Sequence, residues 1–435
     1  MKSLHALSIR DFDFLKKKGL SMLIKEKIAQ AIGILKEFNI DCWITFTRES
    51  AINGDPTLPF LVPADLTWHS ALIITKGGDT IAIVGQYDKK MVEDTGAYKT
   101  VIGYVEGIKK PLTEYLSGLN PASIAVNYSK DSEIADGLTH GMYLTLLEIL
   151  SEINFQDRIV TAEKIISALR QRKTKSELLH IKEAIRQTEK IFAKVAKVIK
   201  PGMTEEQIAQ YMRVEVKKVG LELAWDAQVC PAVFSGPETA GAHYNPTKRK
   251  VKPGHILNMD FGVKVDHYCS DLQRTFYILR PDETKAPPEV QKGFVTIVES
   301  IERSRLAMKP GIQGIEIDAI SRKVLKENGY DEFPHALGHQ VGRFAHDGTA
   351  LLGPAWEKYG KKPYHPLEEG MVFTLEPRLT IPSYGVATIE NMVVMTPTGA
   401  EYLSTPQKRL IFISSRIKKM SQKIHKQHHK KIYIA

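Results

Sequence analysis

Between residues 21 and 155 the spacing of apolar positions changes period several times. From Ser21 to Phe38, Met22, Leu23, Ile28, Ile32 and Leu35 recur at helical spacing, which predicts a helix. Asp41–Phe46 (DCWITF) and Leu72–Thr75 (LIIT) are short apolar runs that predict strands, and Lys76-Gly77-Gly78-Asp79 supplies the turn into Thr80–Val84 (TIAIV), so the last two pair as a hairpin. Ser123–Val126 predicts another strand and Leu138–Ile153 another helix. Gly103 and Gly107 form no glycine-rich turn of the nucleotide-binding kind, so this part of the chain is expected to be a mixed α/β domain without chemistry of its own.

Near Asp157 the pattern changes. Glu163–Ile199 is dense in helix formers and stops at Pro201-Gly202. Thr204 followed by Gln207 has the form of a capping box and opens a helix to about Val219. Further helices are expected over Glu289–Met308, ending at Pro310-Gly311, and Glu316–Glu327, ending at Gly329. Strand-like segments lie between and after them, so helices grouped with antiparallel hairpins imply an α+β class for this half. At 435 residues two domains are expected: an α/β domain over 1–158 and an α+β domain over 159–415, followed by a tail at 416–435.

Charge bears mainly on that tail. The net charge is +10, but seven cations and no acid fall within Arg416–Ala435; removing those seven from the 60 leaves 53 cations against 50 anions, a net of +3. A nucleic-acid-binding body is therefore not indicated. Ile417, Met420 and Ile424 could make the tail a short basic amphipathic helix that touches RNA or an anionic membrane; a solvated terminus is the plainer alternative, and its partner is unknown. Three scattered cysteines, Cys42, Cys230 and Cys269, make no ligand pattern and fit buried thiols in a reducing cytoplasm. The N-terminus carries charges throughout with no signal-like apolar stretch, and no run approaches the ~20 apolar residues that span a bilayer.

The candidate chemistry lies in five residues. Asn258–Tyr277 reads as a hairpin turning around Val265-Asp266, which would set Asp260 opposite Asp271. Thr374-Leu375-Glu376 and Thr388-Ile389-Glu390 echo each other around Pro382–Gly385, which would set Glu376 opposite Glu390. All four acids interrupt apolar strand sequence, where an unpaired carboxylate is costly to bury. Any one alone would pass for a turn or surface acid; four in such contexts point to a shared cation site. Pro334–Asp347 (PHALGHQVGRFAHD) adds His335, His339 and His346, one of which would complete a two-metal set, and His243 precedes the first hairpin as a candidate substrate contact.

The segments NMDFG through SDLQRTF, LGHQVGRFAHD, EEGMVFTLEP and TIENMVV closely resemble, in order and spacing, the metallopeptidases related to Xaa-Pro aminopeptidase, prolidase and methionine aminopeptidase, the pita-bread family. The similarity runs from about Leu169 to Leu403, and the N-terminal region resembles the creatinase-type domain of the prolidase and aminopeptidase P branch. The resemblance implies that Asp260, Asp271, His339, Glu376 and Glu390 hold two divalent ions, Mn²⁺ foremost with Co²⁺, Fe²⁺ or Zn²⁺ as alternatives. Asp260 and Asp271 would bind one ion, His339 and Glu376 the other, with Asp271 and Glu390 bridging. It implies hydrolysis of X-Pro bonds by a metal-bridging hydroxide, with Glu376 shuttling a proton, His243 and His346 positioning substrate and stabilising the oxyanion, and His335 lining the pocket. It further implies a homodimer. Four positions depart from the family pattern: Thr388 stands where an arginine is usual, Arg378 follows Glu376-Pro377 in place of glycine, Gln340 follows the ligand histidine, and Arg343 takes an apolar position. Either Arg378 or Arg343 could replace the missing guanidinium and select a carboxylate-bearing substrate. Two other readings remain: a pita-bread hydrolase acting on a non-proline small substrate, and a non-catalytic binding protein using the basic tail.

Overall fold

The computed structural model describes residues 9–238 and 245–414, with side chains from residue 19 onward; His243 and the basic tail lie outside the described residues. Helix α1 (Ile9–Glu37) leads into a six-stranded mixed sheet with strands β1 (Cys42–Thr47), β2 (Ser70–Thr75), β3 (Thr80–Gly85), β4 (Thr100–Tyr104), β5 (Ile124–Val126) and β6 (Ile159–Thr161) in the order β4-β3-β2-β1-β5-β6. The predicted hairpin is β2–β3, with Ile74 paired to Thr80. Short apolar runs announce these strands because both faces are covered. Trp43, Leu72, Ile74 and Ala82 pack towards α1, while Ile44, Ile73, Ile81 and Ile83 pack towards helices that follow.

Helix α2 (Lys89–Glu93) joins the α1 side through Val92, and the helices on the other face are α3 (Lys109–Leu119) and α4 (His140–Ser151). Strand β4 and helix α3 escaped the sequence reading: β4 is an edge strand without fully buried positions. Gly107 lies between β4 and α3 with no glycine-rich turn around it, in line with the sequence. The first sheet also extends past residue 158, where the first domain was expected to end. Strand β6 pairs in parallel with β5, and Ile165, Ile166 and Leu169 of helix α5 (Glu163–Gln171) enter the same core as α1.

The long helical stretch is two helices. Thr174 accepts from the Glu177 amide while Glu177 accepts from the Thr174 amide, so this capping box starts α6 (Lys175–Val198) after a break. The break is tied across the molecule by the Lys173 amide donating to the Gly370 carbonyl at 3.0 Å. The capping box expected at Thr204 and Gln207 is formed and opens α7 (Glu205–Lys218).

The remaining strands are β7 (Glu222–Leu223), β8 (Ala232–Ser235), β9 (Ile256–Phe261), β10 (Val263–Val265), β11 (Tyr268–Cys269), β12 (Leu272–Ile278), β13 (Val372–Leu375), β14 (Arg378–Ile381), β15 (Gly385–Thr388), β16 (Asn391–Thr396), β17 (Gly399–Tyr402) and β18 (Ile411–Ile413). Helices α8 (Pro288–Ala307) and α9 (Gly314–Glu327) lie between them in sequence. Helices α6 and α7 pack with Met259, Phe261 and Leu272 in one core. Helices α8 and α9 pack with Tyr277, Phe373, Leu379 and Val393 in another. The hairpins are thus held between two helix pairs, and the acids sit along the seam. Among the described residues no helix is long and apolar enough to cross a membrane.

Candidate metal centre and substrate cavity

The first hairpin differs from the symmetric reading. In β9 and β12, Asp260 pairs with Gln273 and Phe261 with Leu272, so Asp271 is not directly opposite Asp260. The turn consists of Asp266 and His267, both with positive φ (45° and 70°), and it joins Val265 to Tyr268. Such a two-residue turn with left-handed torsions matches the twist of the flanking strands. The partner of Asp260 therefore moves by two residues. An even shift preserves the face, so Asp271 remains a diagonal neighbour on the same side. Glycine is required where Asp271 leaves the ladder: a Cβ on Gly262 would stand 1.9 Å from the Ser270 carbonyl oxygen.

In the second hairpin the expected register is observed. Leu375 pairs with Asn391 and Arg378 with Thr388, so continuing the register sets Glu376 opposite Glu390 between the two ladders. His339 is fastened to β13: its carbonyl accepts from the Thr374 amide at 2.9 Å and its amide donates to Thr374 Oγ1 at 3.1 Å. A Cβ on Gly338 would lie 2.0 Å from the Thr374 carbonyl oxygen, so the preceding glycine permits this approach. His339 Nδ1 faces the Gln340 carbonyl at 3.4 Å, which leaves Nε2 for the acids. Nε2 lies 3.3 Å from Glu376 Oε1, 3.7 Å from Asp271 Oδ2 and 3.9 Å from Glu390 Oε1. Ligand atoms of Asp271, His339 and Glu390 all fall within 4.8 Å of one another.

The charges demand neutralisation. Burial first, and then neighbouring acids, pushes Asp260 and Glu390 well above the ordinary carboxylate range; burial likewise raises Asp271 to about 7. Burial opposes the charge on His339, but the contacts with Glu376 and Asp271 outweigh it and raise the imidazole to about 8. Glu376 goes the other way: burial is overcome by the hydrogen bond and charge of His339, and its carboxyl is held below the usual value. Asp260 Oδ1 and Glu390 Oε2 are buried with no hydrogen-bond partner. Two orphaned carboxylate oxygens among three proton-hungry acids and one imidazole are a donor set that fits hard or borderline divalent cations.

A pH dependence follows for the metal-free protein. Asp260, Asp271 and Glu390 bind protons more tightly when folded, so the stability they contribute is full below the unfolded carboxylate range. It is lost as pH rises through about 7 for Asp271, and His339 acts in the same sense through about 8. The lowered Glu376 contributes above the unfolded carboxylate range and is constant over the interval that matters. Chelated protein should therefore lose on the order of a few kcal/mol between about pH 5.5 and about pH 8, and added Mn²⁺ should restore it. Thermal melts that are flat over this interval and insensitive to Mn²⁺ would contradict the assignment.

A cavity of about 360 Å³ opens beside the cluster, and His335, His339, His346, Glu376, Arg378 and Thr388 are among its walls. His335 is half-buried, with Nδ1 2.8 Å from the Ala336 carbonyl, and burial lowers its pKa. His346 is exposed at the rim, its ring edge-to-face with His339 at 4.2 Å between centroids. Arg343 is not among the wall residues. It is buried with its guanidinium over the rings of Phe60 and Tyr268, at 5.4 and 5.6 Å. The structure thus places Arg343 in the seam with the first sheet domain, while Arg378 reaches the cavity.

Three residues of the site escaped the sequence reading. Gln273 donates to Glu376 Oε2 at 3.2 Å and accepts from Thr388 Oγ1 at 3.1 Å. Its place was legible, since residues 271 and 273 share a strand face. Arg274, on the other face, donates to the carbonyls of Gln273 (2.9 Å) and Glu390 (2.8 Å) and so fixes the Glu390 backbone. Asp347 accepts from the Arg343 amide at 2.7 Å and from Arg170, which closes the loop bearing His339 and His346. No local pattern announces either contact.

The model of metallopeptidase family M24 matches residues 180–397. Uncharacterized peptidases of Staphylococcus aureus and Staphylococcus haemolyticus are 27% and 28% identical over 340 and 336 residues, covering 78% and 77% of this chain and 88% and 87% of theirs. The fold is that of an X-Pro aminopeptidase from Thermotoga maritima (TM-score 0.67, 23% identity, 87% of this chain and 99% of that one). It is also that of an Xaa-Pro dipeptidase from Bacillus anthracis (TM-score 0.68, 22% identity, 90% and 100%). With half of its length matched by the family model and its acids gathered around one histidine, the chain belongs to metallopeptidase family M24.

Proposed function

We propose that the protein is an exopeptidase that hydrolyses X-Pro bonds with two divalent ions, Mn²⁺ foremost, in the manner of an aminopeptidase P or a prolidase. The observation that carries this reading is the convergence of Asp271, Glu376 and Glu390 within 4 Å of His339 Nε2, beside a cavity with cationic and histidine walls. The preference for proline rests on the likeness to the Thermotoga and Bacillus structures.

Asp260, Asp271, His339, Glu376 and Glu390 would hold the ions. When bound, these supply Lewis acidity and a water of lowered pKa. The protein's own groups supply the rest. Glu376, kept ionised by His339 and oriented by Gln273 Nε2, is a proton acceptor facing the cavity. His335 and His346 can donate to charge developing on the scissile carbonyl, and His243 has that role by resemblance alone. All five ligands are retained, which disfavours a binding-only role.

Arg378 and Thr388 are direct cross-strand partners in β14 and β15. The guanidinium that the family pattern places at the Thr388 position has thus an equivalent directly across the same rung, on the same face of the hairpin and in the wall of the same cavity. In this reading Arg378 anchors a substrate carboxylate. Arg378→Ala is expected to raise KM for Ala-Pro by about tenfold to a hundredfold with a smaller change in kcat, as for a charge-assisted anchor lost equally in ground and transition states. An unchanged KM for every carboxylate-bearing peptide tested would remove Arg378 from the site. The function itself is tested by metal content after chelator-free purification, and by turnover of Ala-Pro against Ala-Pro-Ala with Mn²⁺. Absence of both metal and turnover overturns it, and cleavage of the dipeptide alone makes it a prolidase.

A further inference from the structure

Thr388 does more than mark a missing guanidinium. Its hydroxyl donates to Gln273 Oε1 at 3.1 Å, and Gln273 Nε2 donates to Glu376 Oε2 at 3.2 Å. The amide has one workable orientation. An ionised carboxylate can only accept, so turning the amide over would set its oxygen against Glu376 Oε2. With Nε2 committed to Glu376, Oε1 is left for Thr388, and the threonine hydroxyl must supply the proton. Both side chains are buried although they border the cavity. Their backbones are fixed by other groups: the Thr388 amide donates to Thr275 Oγ1 at 3.2 Å, and the Gln273 carbonyl accepts from the Glu390 amide at 3.2 Å. Removing either side-chain contact therefore leaves the strands in place.

We propose that Gln273 and the Thr388 hydroxyl are a positioning pair that fixes the Glu376 carboxylate for its work beside the metal centre. The proposal rests on the peptidase reading above and gives Thr388 a task of its own. A carboxylate that serves as both ligand and proton acceptor has to present its two oxygens to different partners, and its last torsion is soft. The donor on Oε2 stops that rotation and keeps Oε1 towards His339, 3.3 Å from Nε2. Gln273 is itself a long side chain, and the Thr388 hydroxyl is what holds its amide plane. The position that carries an arginine in the family pattern is thus used here to hold the proton acceptor, while its cross-strand partner Arg378 faces the substrate.

The test uses the full chain at saturating Mn²⁺ with Ala-Pro and Ala-Pro-Ala. It compares the parent with Thr388→Val, Thr388→Ser, Gln273→Met and the double variant Thr388→Val with Gln273→Met. Valine and methionine keep the volume and remove the hydrogen bonds. Thr388→Val and Gln273→Met are each expected to lower kcat about tenfold to a hundredfold, with KM changed by less than about threefold, and to weaken Mn²⁺ binding about tenfold in calorimetry. Thr388→Ser keeps the hydroxyl and should recover most of the loss seen with valine; a threonine that served packing alone would tolerate valine better than serine. The double variant should lose no more than Gln273→Met, because the hydroxyl acts only through the amide. Parental kcat in Thr388→Val overturns the proposal, and so do single losses that multiply in the double variant. If the parent binds Mn²⁺ but no form cleaves a peptide, the peptidase reading fails and calorimetry decides the pair. A Kd raised by Thr388→Val and restored by Thr388→Ser then supports it, and equal Kd values overturn it. A parent that binds no Mn²⁺ overturns both.

Discussion

Glu390→Gln is expected to lower both bound metal and X-Pro turnover, the latter on the order of a thousandfold, or about 4 kcal/mol of transition-state stabilisation. Glu390 is 1% exposed, and one of its oxygens has no hydrogen-bond partner. Its backbone is held from both directions, the amide donating to the Gln273 carbonyl at 3.2 Å and the carbonyl accepting from Arg274 at 2.8 Å. The substitution therefore keeps shape and position and changes only charge. That permits a control that misfolding would not mimic. In metal-free protein above pH 7 the amide removes a repulsive buried carboxylate, so Glu390→Gln should melt at a higher temperature than the parent while being inactive. Turnover within about tenfold of the parent, or an unaltered metal content, would remove Glu390 from the metal centre.

Arg170→Met is expected to destabilise the protein by about 3 kcal/mol, the lower end for breaking a buried ion pair, because Lys173 Nζ remains 3.9 Å from Asp347. Arg170 and Asp347 are each 1% exposed, and the guanidinium also donates to the Pro56 carbonyl at 2.6 Å. One side chain thus joins the Asp55–Thr57 loop of the first sheet domain to the loop that bears His339 and His346. Urea unfolding should show the loss, and Arg170→Met combined with Asp347→Asn should recover part of it, since no buried carboxylate then lacks its guanidinium, while the loss of the Asp347 charge beside Lys173 keeps the recovery incomplete. A single variant within 0.5 kcal/mol of the parent, the ordinary range for surface changes, would show that the pair does not hold these loops.

Much of the fold was legible because both faces of the first sheet are buried: LIIT and TIAIV are continuous apolar runs apart from one terminal threonine each, as expected of a covered sheet. The second hairpin was legible because its ends repeat Thr-Leu-Glu against Thr-Ile-Glu, and the observed register places the two glutamates in opposition. The first hairpin was misread by one turn position. Asp266 and His267 both adopt left-handed torsions without being Asn-Gly or Gly-Gly, so composition did not mark the turn. The face of Asp271 was nonetheless right, because the slip was even.

The sequence by itself singled out the acids and the histidine that converge in the fold: acids inside apolar strands and a histidine in a glycine-punctuated loop have no comfortable place apart from one another. It also marked the exchange of glycine and arginine around Thr388 and Arg378. Only the tertiary structure decided that Arg378 reaches the cavity while Arg343 is packed over Phe60 and Tyr268. It alone joined Arg170 to Asp347 and Arg274 to the Glu390 carbonyl across separations of 177 and 116 residues. Local pattern specifies strand, turn and face, since these depend on neighbours in the chain. Which distant group meets a side chain depends on how two domains and two helix pairs close on the hairpins, and burial without a partner is penalised only once that closure has occurred.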